Sequence, residues 1–189
     1  MVIPYLPSAQ WYMAVIASAL DVAAGASQSI IYPEVLPRDI NRCIVKSNNG
    51  ERTLSIPIEG GFSRVKHAPT APHQVSEHGD WRRLHLAAFM SEYGKTPFFE
   101  HLYPQIAEAL DSSHTLLSDI STPLHEMTMR MICDSDIIAS LDALRRHDPT
   151  MYEKLRHQHS GEVDAHLSVL DAMMRLGRET TFALLPPLN

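Results

Sequence analysis

The apolar positions change period along the chain, and the changes mark its elements. Val2–Leu6 is a short apolar run closed by Pro7, which predicts a buried first strand. From Ser8 the period becomes helical. Ser8 can cap, and Trp11, Val15, Ile16 and Ala19 follow at helical spacing, predicting a helix that ends near Asp21–Gly25. Ser29–Tyr32, stopped by Pro33, predicts a second strand. The clearest local signal is "NRCIVKSNNGERTLSIPIEGG". Its runs Cys43–Lys46 and Thr53–Ile58 flank Asn48-Asn49-Gly50, the turn chemistry of a hairpin. Residues 62–79 carry three histidines and two prolines without firm periodicity and predict a loop, with one more strand near Arg64–His67.

From Asp80 the pattern is helical. Asp80 is placed to cap a helix from Trp81 to Tyr93 that Gly94 stops, and Pro97 suits the first turn of the next, to Leu110. Leu116–Cys133 follows, with Ile120, Leu124, Met127 and Met131 in register. Shorter helices are predicted over Ser135–His147, Pro149–Arg156, Ala165–Leu176 and Arg178–Leu184. The expected architecture is α/β: a mixed sheet of four or five strands with a helical C-terminal half packed on it. Residues 1–79 form the strand-rich part with one crossover helix and 80–189 the helical part, in a single domain.

Composition narrows the function. The 189 residues are 44% hydrophobic and 20% charged, enough for a core without staples. The net charge is −6 and no basic stripe stands out, which argues against nucleic acid as a partner. Cys43 and Cys133 are the two cysteines, with no C-x-x-C, so neither a disulfide framework nor a cysteine zinc site is expected. The most apolar window, Met13–Ala26, is broken by Asp21 and too short to span a bilayer. These features predict a reduced, cytoplasmic protein without a membrane span.

Several residues carry candidate chemistry, each with a plainer alternative. On a helix Trp81, His85, Ala88, Phe89 and Glu92 share one face. His85 there is either a core histidine satisfied by one hydrogen bond or a general base tuned by burial. Phe98, Phe99 and Tyr103 are pocket wall or core accordingly. Arg42, after Asn41 and near Arg38, can hold a carboxylate or phosphate, or pair on the surface with Asp39 or Glu59. Glu34 sits where sheet-end acids meet substrates, or is a solvated loop acid. Cys43 beside Arg42 is a nucleophile or, as the start of an apolar strand, a buried small hydrophobe. His73, His78 and His85 lie near Glu77, and His157, His159 and His166 near Asp164, without standard zinc spacing, so no metal is expected. G-x-S-x-G, P-loop and G-x-G-x-x-G motifs are absent, and no cofactor is indicated.

The segments "YLPSAQWYMAVI", "NRCIVKSNNGERTLSIPI", "WRRLHLAAFMSEYGKTPFFEHLYP" and "LSVLDAMMRLG", in this order, resemble the WbqC-like proteins of bacteria. The likeness runs from about Tyr5 to Leu184. It matches Pro7, Trp11-Tyr12, Asn41-Arg42, His85, Pro97-Phe98-Phe99, Leu167-Ser168 and Leu170-Asp171 to the family pattern. The chain departs from that pattern at "EVLPRDI", where basic and aromatic residues are usual and Arg38 is the available replacement, and again at "HSGEVDAHL". The resemblance implies a role in surface-polysaccharide (O-antigen type) biosynthesis. The expectation is a transferase moving an acyl or aminoacyl group onto a sugar or nucleotide-linked sugar. His85 is then the base and Arg42 the donor's anion contact, with Asn41, Tyr12, Trp11, Glu34 and Phe99 binding substrate. The alternative is a non-catalytic binding or assembly protein, docking on another enzyme of the pathway.

Overall fold

Ser8 does what its position predicts. In the computed structural model, which describes residues 2–111 and 113–188, its Oγ accepts from the Trp11 N–H and opens α1, Ala9–Ala23. Trp11, Tyr12, Val15, Ile16, Ala19 and Leu20 form its buried stripe. A 3₁₀ turn, Pro37–Asp39, leads into the hairpin of β1, Arg42–Ser47, and β2, Gly50–Ser55, paired from Arg42↔Ser55 to Ser47↔Gly50. Helices follow: α2, Gly61–His67; α3, Trp81–Tyr93; α4, Phe99–Ala109; and α5, Leu117–Ile132. Then come α6, Ser135–His147; α7, Pro149–His159; α8, Val169–Leu176; a 3₁₀ turn, Gly177–Glu179; and α9, Thr180–Ala183.

The expected four- or five-stranded mixed sheet is not there. Among the described residues the sheet is the antiparallel pair β1–β2, and helices make up most of the fold. The reason at the N-terminus is local. Pro4 and Pro7 have no N–H to give a ladder, and Leu6 adopts a left-handed φ of 43° that breaks the extended run. Residues 2–8 are instead held by single bonds. Tyr5 N–H donates to Ile40 O at 2.8 Å, and Ser8 forms an isolated bridge with Ser168. The second expected strand, Ser29–Tyr32, is an irregular strap. Ile31 is 68% exposed and its N–H donates to the Ser18 hydroxyl, not to a neighbouring strand. Arg64–His67, expected as a strand, is the end of α2, and its Val65 is buried.

The helical half lies close to expectation. α3 has the predicted bounds and buries Trp81, His85, Ala88, Phe89 and Tyr93, although Asp80 pairs with Arg83 and makes no side-chain cap. α4 starts at Phe99, later than Pro97 suggested, and keeps Pro104 inside it. The 165–168 segment, expected to be helical, is a turn that ends in the Ser8–Ser168 bridge, because its backbone is bonded to the start of α1 and to the hairpin. Leu167 O and Ala165 O accept from Ala9 and Gln10, and Ser168 N–H donates to Ile44 O at 2.7 Å. One continuous core joins α1, the hairpin and α3 through α8. Among the described residues no helix is long and apolar enough to cross a membrane.

Candidate functional site

The N-terminal turn, the strap and the hairpin enclose a cavity of about 730 Å³. Pro4, Leu6 and Pro7 form one side, and Trp11 on the first turn of α1 forms the back. The strap and the 3₁₀ turn supply Pro33, Glu34, Val35, Leu36, Arg38 and Asp39. The hairpin adds Arg42, Ile44 and Thr53, and His166 closes the far edge. Arg42 faces the cavity because strand side chains alternate: Cys43 and Val45 enter the core while Arg42 and Ile44 turn outward.

Charge is divided within the wall. Arg38 lies 3.7 Å from Asp39, and His166 lies 3.6 Å from Glu51 outside the cavity. Neither the Arg42 guanidinium nor the Glu34 carboxylate has a hydrogen bond or ion pair among the described residues. Trp11 is fixed from behind. Its indole N–H donates to Pro33 O at 3.3 Å, and its ring packs edge-on against Tyr12 at 4.9 Å and against His125 at 5.9 Å.

Trp11, Glu34 and Arg42 thus line one cavity, whereas His85, Tyr12, Asn41 and Phe99 lie outside its wall. His85 is 3% exposed, with Nδ1 sharing a 2.9 Å hydrogen bond with the Tyr5 hydroxyl and the rings of Trp81 and Phe89 against it. Burial drives its pKa down to about 4, opposed by a backbone hydrogen bond to Ser55. Tyr12 is buried with its hydroxyl 2.8 Å from His125 Nδ1, and burial raises its pKa. The Asn41 side-chain amide donates to Ile56 O at 2.6 Å and extends the hairpin. Phe99 stacks on Tyr103 at 4.6 Å. Cys43 is a buried thiol whose pKa burial pushes far up, the reverse of an activated nucleophile.

Two residues escaped the sequence reading. His166 was expected on the helix Ala165–Leu176, and it reaches the cavity from the turn that replaces the start of that helix. His125 joins Tyr12 to Tyr32, whose hydroxyl lies 3.4 Å from its Nε2. The available signal was a histidine beside Leu124 with Ser121 and Thr128 as its neighbours on the buried face of α5. Among the described residues no group of three or more His, Cys, Asp or Glu is placed to hold a metal ion.

The model of the WbqC-like protein family matches residues 38–144, more than half of the chain. That span includes Arg38, Asp39 and Arg42 of the cavity wall, while Trp11, Glu34 and His166 fall outside it. No curated protein and no solved structure matches. With its hairpin and the helices from α2 to the greater part of α6 covered by the match, the chain belongs to the WbqC-like protein family.

Proposed function

We propose that the cavity is the working site and that the protein binds a small, anionic, sugar-linked molecule in bacterial surface-polysaccharide biosynthesis of the O-antigen type. The observation that carries this reading is the meeting in one concave wall of Trp11 with Arg42, which has no partner among the described residues. A guanidinium fork matches carboxylate or phosphate, and the small part of the Trp11 indole left open beside Pro7 and Pro33 gives the wall an apolar edge for the C–H groups of a sugar. The volume falls in the range of small-molecule sites. Membership of the WbqC-like family supports the pathway.

Binding without turnover is the form the geometry favours. Glu34, Arg38, Asp39, Arg42 and His166 of the wall are exposed, outside the dry surroundings that tune a catalytic acid or base, and the buried Cys43 thiol is pushed away from the activated form. Transfer of an acyl or aminoacyl group to the bound sugar is the second reading. Glu34 and His166 favour it, since either can take a proton from an attacking hydroxyl or amine held against the wall. His85 serves the fold in both readings, because its ring is spent on Tyr5 behind the wall.

Thermal unfolding against a panel of simple sugars, acidic sugars, nucleotide sugars, amino acids and acyl-CoA tests the proposal. A ligand at a hundred times its dissociation constant stabilises by about 2.7 kcal/mol. That raises the midpoint by roughly 5–10 °C in a chain of this size. The expected result is a concentration-dependent shift with an acidic or sugar-linked compound that Arg42→Ala abolishes. A shift that survives in Arg42→Ala places the ligand elsewhere and overturns the proposal.

A further inference from the structure

The geometry points to a ligand with a single carboxylate and free hydroxyls, an acidic sugar of the uronate class, in preference to a sugar carried on a nucleoside diphosphate. This rests on the cavity being the working site and narrows what enters it. Arg38 is paired with its neighbour Asp39, and the His166 ring faces Glu51. Arg42 and Glu34 remain, so among the described residues the wall offers one unpaired guanidinium and one unpaired carboxylate.

A third source of positive potential is closed as well. The fifteen-residue α1 begins at the cavity, and a helix N-terminus holds phosphate through its unpaired N–H groups. Here those groups are taken. Ala9 N–H donates to Leu167 O at 2.8 Å and Gln10 N–H to Ala165 O at 2.9 Å, while Trp11 N–H is held by Ser8. A diphosphate would therefore meet Arg42 as its one unpaired cation and bring its second charge against Glu34. A carboxylate matches the Arg42 fork one for one. Glu34 accepts and does not donate, so it is complemented by hydroxyl groups, which a sugar ring supplies.

Titration calorimetry of the full chain at neutral pH and low salt, with glucuronate, glucose and UDP-glucose as probes, tests this. Glucuronate should bind more tightly than either of the others. Arg42→Ala should weaken glucuronate by about tenfold or more, to the level of glucose. Glu34→Gln should strengthen UDP-glucose and narrow its gap to glucuronate, since a repelling charge is gone. Both side chains are exposed, so unchanged thermal midpoints will show that the variants fold. Tighter binding of UDP-glucose than of glucuronate by the wild-type protein overturns the inference and leaves the cavity as the site. Binding of none of the three overturns the inference and counts against the cavity as a sugar site.

Discussion

Acidification is the most informative perturbation to apply, because His85 converts it into a stability change of calculable size. The groups facing the imidazole are neutral: Tyr5 from the N-terminal turn, Trp81 and Phe89 from its own helix, the Ser55 backbone from the hairpin, and the Cys43 thiol beside Tyr5. Burial holds the folded pKa down to about 4. In the unfolded chain the ring titrates near ~6.5. Between the two values the unfolded chain binds a proton that the folded chain refuses, so stability falls as pH falls. This contribution is fully present above about pH 6.5, drains away toward about pH 4 and is flat below that. The whole span corresponds to about 3 kcal/mol, of which about 2 kcal/mol is lost by about pH 5. In a chain of this length that lowers the thermal midpoint by roughly 4–8 °C.

The assay is urea unfolding of the wild-type protein and His85→Gln at about pH 7.5 and about pH 5. The variant starts lower, by about 1–2 kcal/mol, for its altered contact with Tyr5. Its loss between the two pH values should nevertheless be smaller than that of the wild type by about 2 kcal/mol. The remaining histidines and carboxylates are common to both proteins, so the difference isolates His85. Equal losses in the two proteins would refute the reasoning, as would an imidazole resonance of His85 that titrates near ~6.5.

Three further outcomes follow from packing. Gly177 has φ 56° and ends α8 where an added Cβ would overlap the ring of Phe98. Gly177→Ala should cost about 2–4 kcal/mol, and an unchanged thermal midpoint would sink the claim. Asp171 is buried with its carboxylate 2.7 Å from Arg175, whose guanidinium also donates to Glu162 O. Arg175→Met strands that charge and should cost about 2–3 kcal/mol at neutral pH by urea unfolding; a variant as stable as the wild type would contradict it. Cys133 is half-buried with its thiol pushed up to about 11, and Cys43 is sealed in the core. A thiol reagent should modify Cys133 slowly and Cys43 only on unfolding, so fast modification of both would show that the hairpin does not pack as described.

The helices were legible because their signals are local. Trp81, His85, Ala88, Phe89 and Gly94 fix the face and end of α3, and Asn48-Asn49-Gly50 fixes the hairpin, all within a few residues of chain. The missing sheet was not legible, because a strand is defined by its partner. The apolar runs at Val2–Leu6 and Ser29–Tyr32 look like strands in isolation, yet prolines and the left-handed Leu6 leave them single bonds where a ladder was expected. The cavity was legible in part. Arg42, Trp11 and Glu34 have the right chemistry at the right ends of elements. His166 comes from the far end of the chain, and no local pattern joins it to them.

Histidine residues in apolar helices drew attention as candidate chemistry, and their partners explain why they belong to the frame. His85 ties α3 to Tyr5 in the turn that forms one side of the cavity. His125 ties α5 to Tyr12 on α1 and to Tyr32 on the strap, which forms the other. Each imidazole joins elements far apart in the chain, each sits behind the cavity wall, and the pKa of each is lowered by burial, which keeps the ring neutral and able to accept a hydrogen bond. A neutral, fixed ring is what a wall needs from behind, whereas a group that meets a ligand has to reach it. Arg42 and Glu34 satisfy that second condition: they are exposed, unpaired among the described residues and carried by elements whose inner faces these buried contacts hold in place. The division of labour predicts how variants should separate. Changes at His85 and His125 should move stability and affinity together, through the position of the wall. Changes at Arg42 and Glu34 should move affinity alone.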